Sequence, residues 1–278
     1  MIEIGKYNNL NILRKTSVGL FLGNEKEDVL LPNKYVPNTY IIGEELTVFV
    51  YLDHEERLVA TTLKPYVTCN DFAFLRVNYV NNIGAFMDWG LEKDIFVPFK
   101  EQARPMEQGK RYLIYLYLDH KTNRLVASSK TNQFLSNDKI LVKNNDEVDL
   151  IVSHTTVLGV NVIINKKHKG LLYKDDIYET IRTGDKLKGF IKNIRTDHKI
   201  DVSLRKQGFE NVELERQKVL DEIKANRGFL RLNDHSHPED IKTVLKMSKK
   251  SFKKVIGVLL KQRVIEIKED GIYLVKES

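Results

Sequence analysis

The sequence contains a single cysteine, Cys69, among 278 residues. This excludes an intrachain disulfide and is typical of a reducing compartment. It also excludes a zinc site built from several cysteines. His235 and His237 lack the i, i+4 helical spacing of a two-histidine metal site, so we expect polar loop residues there and no metal or other cofactor.

Long apolar runs are missing as well. No stretch approaches the roughly 20 apolar residues that cross a bilayer. The first residues, MIEIGKYNNLNIL, lack the basic segment, apolar run and small-residue cleavage site of a signal peptide. We therefore expect a cytoplasmic protein that has no membrane partner.

Patterns typical of catalytic sites are absent. The sequence has no glycine-rich phosphate loop followed by Lys and Ser or Thr. Asp175 and Asp176 have no second acidic cluster to complete a two-metal site. Nothing around Cys69 indicates a low-pKa thiolate. The expectation is a protein that is not an enzyme and has no small-molecule substrate.

Charge is plentiful and unevenly distributed. The 45 basic and 38 acidic residues give a formal net charge of +7, which is compatible with a polyanionic partner. Acidic residues outnumber basic ones by 9 to 7 in residues 1–66. Basic residues are in excess by 11 to 8, 12 to 10 and 15 to 11 in residues 67–145, 146–212 and 213–278. The first segment is therefore the least suited to bind a polyanion.

The dipeptide Asp-His recurs within a longer pattern. Three segments share it: IGEELTVFVYLDHEERLVATTLK, QGKRYLIYLYLDHKTNRLVASSK and TGDKLKGFIKNIRTDHKIDVSLRK. Period-2 apolar alternation on both sides of a polar patch predicts a strand, a turn and a strand. The pairs Asp53–His54 and Asp119–His120 are therefore predicted to lie at hairpin turns and not to serve as catalytic acid–base pairs.

The upstream halves repeat with the same spacing. Gly19 and Gly84 are 65 residues apart, and Gly84 and Gly159 are 75 apart. A glycine within an apolar strand indicates a bulge or tight bend. About five strands in some 70 residues is the pattern of an OB-fold. We predict a multidomain, mainly β protein with three tandem five-stranded OB-fold barrels.

After Lys206 the apolar period changes to that of helices. NVELERQKVLDEIKANRG predicts a helix ending at Gly228, HPEDIKTVLKM begins with Pro238, and SKKSFKKVIGVLLKQ begins at Ser248 as N-cap. RVIEIKEDGIYLVKE predicts a hairpin turning at EDG. Three helices and a terminal hairpin predict a small α+β winged-helix domain. The predicted domains are residues 1–66, 67–145, 146–212 and 213–278.

Two resemblances follow from these motifs. GAFM with DIFVPF, and KGLLYKDDIY with GDKLKGFIKNI and KIDVSLRK, resemble the RNA-binding domain first described in ribosomal protein S-one. This resemblance covers about residues 1–210, and the first copy is the most diverged. The order of three barrels and a winged helix resembles the conserved virulence factor B family of bacterial RNA-binding regulators. It implies post-transcriptional regulation of gene expression, including virulence genes.

The ribosomal family implies where RNA would bind. In that family, strand aromatics stack on bases, and basic residues hold phosphates. Phe21 and Phe86 match the family's strand aromatic, and Tyr173 stands at its histidine position.

Several positions depart from the family pattern. Asn161 replaces the aromatic in the third copy, while Leu31 and Val97 are assigned to the histidine position in the first two. A strand Phe can equally be a core residue, and Trp89 is compatible with either packing or surface contact.

Basic residues are predicted to contact phosphates at two places, although each cluster is also compatible with an ordinary solvated surface. In the third copy they are Lys166, Lys167, Lys169, Arg195, Lys199 and Arg205. On the last helix they are Lys249, Lys250, Lys253, Lys254 and Lys261.

Three hypotheses on function remain open. The leading one is single-stranded RNA binding by the barrels together with the winged helix. The second is a DNA-binding regulator that uses the winged helix. The third is an adaptor that docks on the ribosome or on another protein.

Overall fold

The computed structural model describes residues 1–24, 26–177, 180–205 and 212–275. The chain forms two compact units, Met1–Ser136 and Asn137–Ser278. The first unit contains two β-barrels. The second contains a third barrel and a helical domain with a small sheet. No helix within the described ranges combines the length and apolar character needed to cross a membrane.

Each barrel is a closed sheet of five strands. In the first barrel the strands are β1 Lys6–Lys15, β2 Gly19–Gly23, β3 Asp28–Pro32, β4 Glu45–Leu52 and β5 Leu58–Thr61. In the second they are β6 Asp71–Val80, β7 Gly84–Asp88, β8 Ile95–Pro98, β9 Arg111–Asp119 and β10 Arg124–Ser128. In the third they are β11 Glu147–Thr155, β12 Gly159–Ile164, β13 His168–Tyr173, β14 Lys186–Ile194 and β15 Ile200–Ser203.

The three barrels share one topology, with the strand order β1-β2-β3-β5-β4 and its equivalents. Short 3-10 helices follow the third strand of each barrel and the fifth strand of the second: Asn33–Tyr35, Phe99–Glu101, Lys174–Asp176 and Thr131–Phe134. The prediction of three tandem five-stranded barrels is confirmed.

A β-bulge lies at the same place in the first strand of every barrel. The register shifts between Ile12 and Arg14 in β1, and it shifts at the equivalent positions of β6 and β11. A bulge sharpens the twist of a strand and helps a short sheet to close. In each barrel a glycine amide donates to the carbonyl that precedes the bulge, as Gly43 N–H does to Ile12 O at 2.8 Å.

The glycines at the starts of the second strands are required by close backbone approach. A Cβ atom placed on Gly19 would lie 2.0 Å from the carbonyl oxygen of Leu31. On Gly84 it would lie 2.4 Å from that of Val97, and Gly159 is equally crowded. The repeated glycines thus let the second and third strands pack closely where the barrel bends.

The Asp-His dipeptides lie at hairpin turns, as predicted. The Asp53 carboxylate accepts the backbone N–H groups of Glu55 and Arg57, both at 2.9 Å. In the second barrel the Asp119 carboxylate accepts the Lys121 N–H at 3.1 Å, and this bond helps to lower the pKa of Asp119. Each aspartate thus stabilises a turn through backbone hydrogen bonds.

Trp89 joins the first two barrels. Its side chain is 2% exposed and makes edge contacts with Phe49 at 5.7 Å and Tyr51 at 6.1 Å between ring centroids, both on the outer side of β4. The indole N–H donates to the Lys93 carbonyl at 2.5 Å. Trp89 is therefore a core residue of the first unit and not a surface contact.

The helical domain has the elements predicted for a winged helix. They are α1 Val212–Ala225, β16 Phe229–Leu230, α2 Pro238–Leu245, α3 Lys249–Lys261, β17 Ile265–Lys268 and β18 Gly271–Leu274. The Ser248 hydroxyl accepts the Ser251 N–H at 3.1 Å and caps α3 as predicted. Asn211, the first residue of the predicted first helix, lies outside the described residues.

The exact domain limits stay predictions. Residues 137–145, assigned above to the second domain, include Ile140 and Val142, which pack in the core of the third barrel. The junction at 206–211 lies outside the described residues.

Candidate nucleic-acid interface

Strand pairing places three side chains next to one another on the outer face of each barrel. They come from the first strand after its bulge, from the second strand and from the third strand. The three sets are Arg14, Phe21 and Leu30; Tyr79, Phe86 and Phe96; and His154, Asn161 and Leu171. The same face therefore has a different chemical character in each barrel.

In the second barrel all three positions are aromatic. The Tyr79 and Phe86 rings are stacked, with centroids 4.6 Å apart and planes 10° apart. Phe86 and Phe96 follow at 5.0 Å and 34°. Tyr79 is 44% exposed, and the two Phe side chains are half-buried. We call these three residues the aromatic platform; the exposed Tyr79 ring and the accessible parts of the two Phe rings can contact nucleobases.

Sequence reasoning identified Phe86 but missed its two neighbours. Phe96 alternates with the buried Ile95 and Val97, so the period-2 pattern could have placed it on the outer face. Tyr79 follows the bulge, which changes the alternation, so no simple pattern assigns its face.

In the first barrel the equivalent ring is covered. The Arg14 guanidinium lies over the Phe21 ring, 4.2 Å from its centroid, and pairs with Asp28 at 2.7 Å. This cation–π contact occupies a face of the ring that a base would otherwise use. On this face the first barrel therefore has one ring, held by an arginine, whereas the second has three adjacent rings.

The position of Tyr173 in the third barrel is not equivalent to the positions of Leu31 and Val97 in the first two. Tyr173 pairs with Gly159, and the corresponding residues in the other barrels are Pro32 and Pro98. Leu31 and Val97 are fully buried inside their barrels. Their assignment to the histidine position is therefore wrong by one residue.

Tyr173 belongs to a groove on the third barrel. Its hydroxyl accepts a hydrogen bond from Arg195, whose guanidinium also makes two 2.9 Å bonds to Asp201. Lys169 and Lys199 line the same groove. Four of the predicted residues are thus brought together. Lys199 also pairs with Asp197 at 2.7 Å. Lys169 brings a charge that suits a phosphate, and the Tyr173 ring offers a surface for a base.

The other predicted basic residues of this barrel lie elsewhere. Lys166 and Lys167 are exposed at the turn between β12 and β13. Arg205 contacts the winged helix, where it pairs with Glu215 at 3.1 Å and donates to the Lys246 carbonyl at 2.7 Å. Its predicted grouping with the hairpin residues Arg195 and Lys199 is therefore not observed.

Four of the five α3 lysines lie on the exposed side of the helix: Lys250, Lys253, Lys254 and Lys261. Lys249 instead donates to the Ser236 carbonyl at 2.8 Å and to the His235 carbonyl at 3.3 Å. It therefore ties the start of α3 to the preceding loop. Across the described parts of the chain, no group of three or more His, Cys, Asp or Glu side chains could hold a metal ion.

The fold defines a class of protein, one with tandem OB-type barrels followed by a winged helix. Two family models match this chain: the model described as S1 domain over residues 4–63, and the CvfB-like winged helix domain over residues 217–274. The first match falls on the barrel that the motif comparison ranked as most diverged.

Similarity to known proteins extends over most of the chain. Conserved virulence factor B of Staphylococcus saprophyticus is 26% identical over 244 residues, which cover 85% of this chain and 82% of the relative. The uncharacterized protein YitL of Bacillus subtilis is 26% identical over 266 residues, covering 92% and 89%. The resemblance inferred from the sequence is confirmed.

A solved structure gives a further similarity. It is described as a multidomain protein with nucleic acid binding domains from Streptococcus pneumoniae TIGR4. It has 25% sequence identity to this chain, covers 98% of both chains, and has a TM-score of 0.43.

Proposed function

We propose that this protein is a cytoplasmic, non-enzymatic nucleic-acid-binding protein whose ligand is single-stranded RNA. The observation that carries the proposal is the aromatic platform of the second barrel. Its rings lie side by side on the outer face of the barrel, and the strands of OB-folds form the surface that binds oligonucleotides. The name conserved virulence factor B, carried by relatives of this chain, suggests a role in virulence, and post-transcriptional regulation of gene expression is the form of that role that we propose.

The chemistry of the platform favours a single strand over a duplex. Bases in a duplex are already stacked on one another, whereas unpaired bases can turn their faces to aromatic side chains. Every base has such a face, so this contact demands no particular sequence. We therefore expect the platform to bind single strands of many different sequences.

The groove of the third barrel adds charge to this surface. Lys169 can neutralise a phosphate, which releases counterions and makes binding depend on salt. Lys199 and Arg195 add less net charge, because they are paired with Asp197 and Asp201. Because barrels in one chain share a single ligand, weak contacts at several of them combine through a high effective concentration.

Binding of the full chain to labelled single-stranded RNA, single-stranded DNA and duplex DNA across a salt series tests this proposal. We expect single-stranded RNA to bind tightest, with affinity falling as salt rises. Lys169→Ala should weaken binding and should reduce the slope of log affinity against log salt concentration by about one, the change expected when one phosphate contact is lost. Lys166→Ala, at the adjacent turn, is the matched control and should have a smaller effect.

A second candidate, DNA binding by the winged helix, is favoured by one observation. Lys250, Lys253 and Lys261 lie on the exposed side of α3, the position of a recognition helix in such domains. On this hypothesis duplex DNA binds tightest and Lys253→Ala weakens it more than Phe86→Ala does. No binding of any nucleic acid at physiological salt would support an adaptor that docks on a ribosome or another protein.

A further inference from the structure

A pocket of about 260 Å³ adjoins the aromatic platform, between the first and second barrels. The first barrel contributes residues from the turn between β4 and β5, and the second contributes the platform and the loop before β8. Its lining includes His54, Glu56, Tyr79, Phe86, Asp94 and Phe96. The first barrel forms the opposite wall, with Tyr51 and Leu52 at the end of β4 and with His54 and Glu56 in the turn that follows.

Contacts between the two barrels hold this wall in place. The Lys93 ammonium donates to the Asp53 carbonyl at 2.6 Å, and Arg124 forms an ion pair with Glu56. Both contacts lie at the pocket, and the buried Trp89 also lines it. The hairpin turn of the first barrel is therefore anchored against the second barrel, and the pocket is preformed.

Asp94 gives the pocket a specific polar group. Its Oδ1 atom accepts a hydrogen bond from the Asn78 side-chain amide at 2.8 Å. A carboxylate has about four acceptor sites on its two oxygens, so this bond leaves Asp94 able to accept others. Burial raises the pKa of Asp94, which indicates a partly dehydrated group that favours a ligand hydrogen bond.

Among the standard RNA bases, guanine fits this group best. Its Watson–Crick edge carries two adjacent donors, N1–H and the N2 amino group, which can both reach one carboxylate. Adenine and cytosine place a ring acceptor beside their amino group, and the single N–H of uracil lies between two carbonyls. Each of these three bases would set an acceptor against the carboxylate.

We propose that this pocket takes one guanine base of a bound single strand, held by stacking on the platform and by two hydrogen bonds to Asp94. The inference rests on the proposed function, because the base reaches the pocket as part of a strand on the platform. On this proposal the first barrel contributes to specificity as the opposite wall of the pocket, although its charge is the least favourable for binding RNA and Arg14 covers its Phe21 ring.

The test measures binding of the full chain to short oligouridylates that carry one central guanosine, adenosine, cytidine or inosine. Guanosine should raise the affinity about tenfold over uridine, the discrimination typical of a two-bond base contact. Inosine lacks the N2 amino group and should give a smaller gain. Asp94→Asn replaces an acceptor with a donor and should abolish the preference, while binding of plain oligouridylate stays within about twofold.

Glu107→Gln is the matched control, because it makes the same change of charge in the second barrel outside the pocket lining, at an exposed carboxylate that pairs with Lys110 at 2.7 Å. This variant should retain the guanosine preference. Equal affinity for all four strands, or a preference that survives in Asp94→Asn, would overturn the inference but leave RNA binding intact. Failure of the unsubstituted protein to bind any strand would overturn the proposed function as well.

Discussion

Replacing Trp89 with alanine is expected to destabilise the first two barrels by about 3–5 kcal/mol, the usual cost of removing a large buried aromatic side chain. The ring is 2% exposed and contacts Phe49 and Tyr51 of the first barrel. Its loss leaves a cavity at the junction and leaves the Lys93 carbonyl without its indole donor. The first and second barrels should therefore lose stability together.

Hydrogen exchange measured by mass spectrometry localises this effect. In the Trp89→Ala protein, amide protection in β4 and β7 should fall about a hundredfold or more, since 1.4 kcal/mol corresponds to a factor of about ten. Phe99→Ala is a suitable control, because that ring is 52% exposed and its removal should cost less than about 0.5 kcal/mol. Unchanged protection in Trp89→Ala would show that the barrels do not depend on the indole.

Replacing Phe86 with alanine is expected to weaken single-stranded RNA binding by about 1–3 kcal/mol, or roughly 5- to 150-fold. Phe86 is the central ring of the platform, with Tyr79 at 4.6 Å on one side and Phe96 at 5.0 Å on the other. Its removal takes away one stacking surface and breaks the continuity of the other two. Fluorescence anisotropy with a labelled oligouridylate measures the loss.

Phe21→Ala is the matched control in the first barrel, because Phe21 occupies the equivalent strand position. Its neighbours on this face are Arg14 and Leu30, so no second ring adds to its contact with a base. Arg14 also covers the ring at 4.2 Å, and the loss of Phe21 should therefore weaken binding by less than about threefold. Equal losses in the two variants would mean that the platform has no special role.

The barrels and the winged helix could be predicted from sequence because their signals are local. Apolar alternation, turn residues and the repeated glycines each reflect a backbone requirement within one strand or turn. Gly84, for example, is needed because any Cβ there would meet the Val97 carbonyl. The cap at Ser248 is equally local, and the structure contains it.

The candidate site could be predicted only in part because it depends on register and on contacts distant in sequence. The bulge before Tyr79 changes the side-chain alternation, and the pairing of Tyr173 with Gly159 shows which residues are equivalent between barrels. Arg205 has the charge of a phosphate ligand, but its partners Glu215 and Lys246 become visible only in the folded domain pair.

We expect single-stranded RNA to lie across the aromatic platform of the second barrel. Photocrosslinking of the full chain to an oligonucleotide containing 4-thiouridine, followed by mapping of the modified peptides by mass spectrometry, tests it most directly. We predict crosslinks at Tyr79, Phe86 or Phe96, with further ones near Tyr173. Crosslinks confined to the α3 segment would contradict this account and place the nucleic acid on the winged helix.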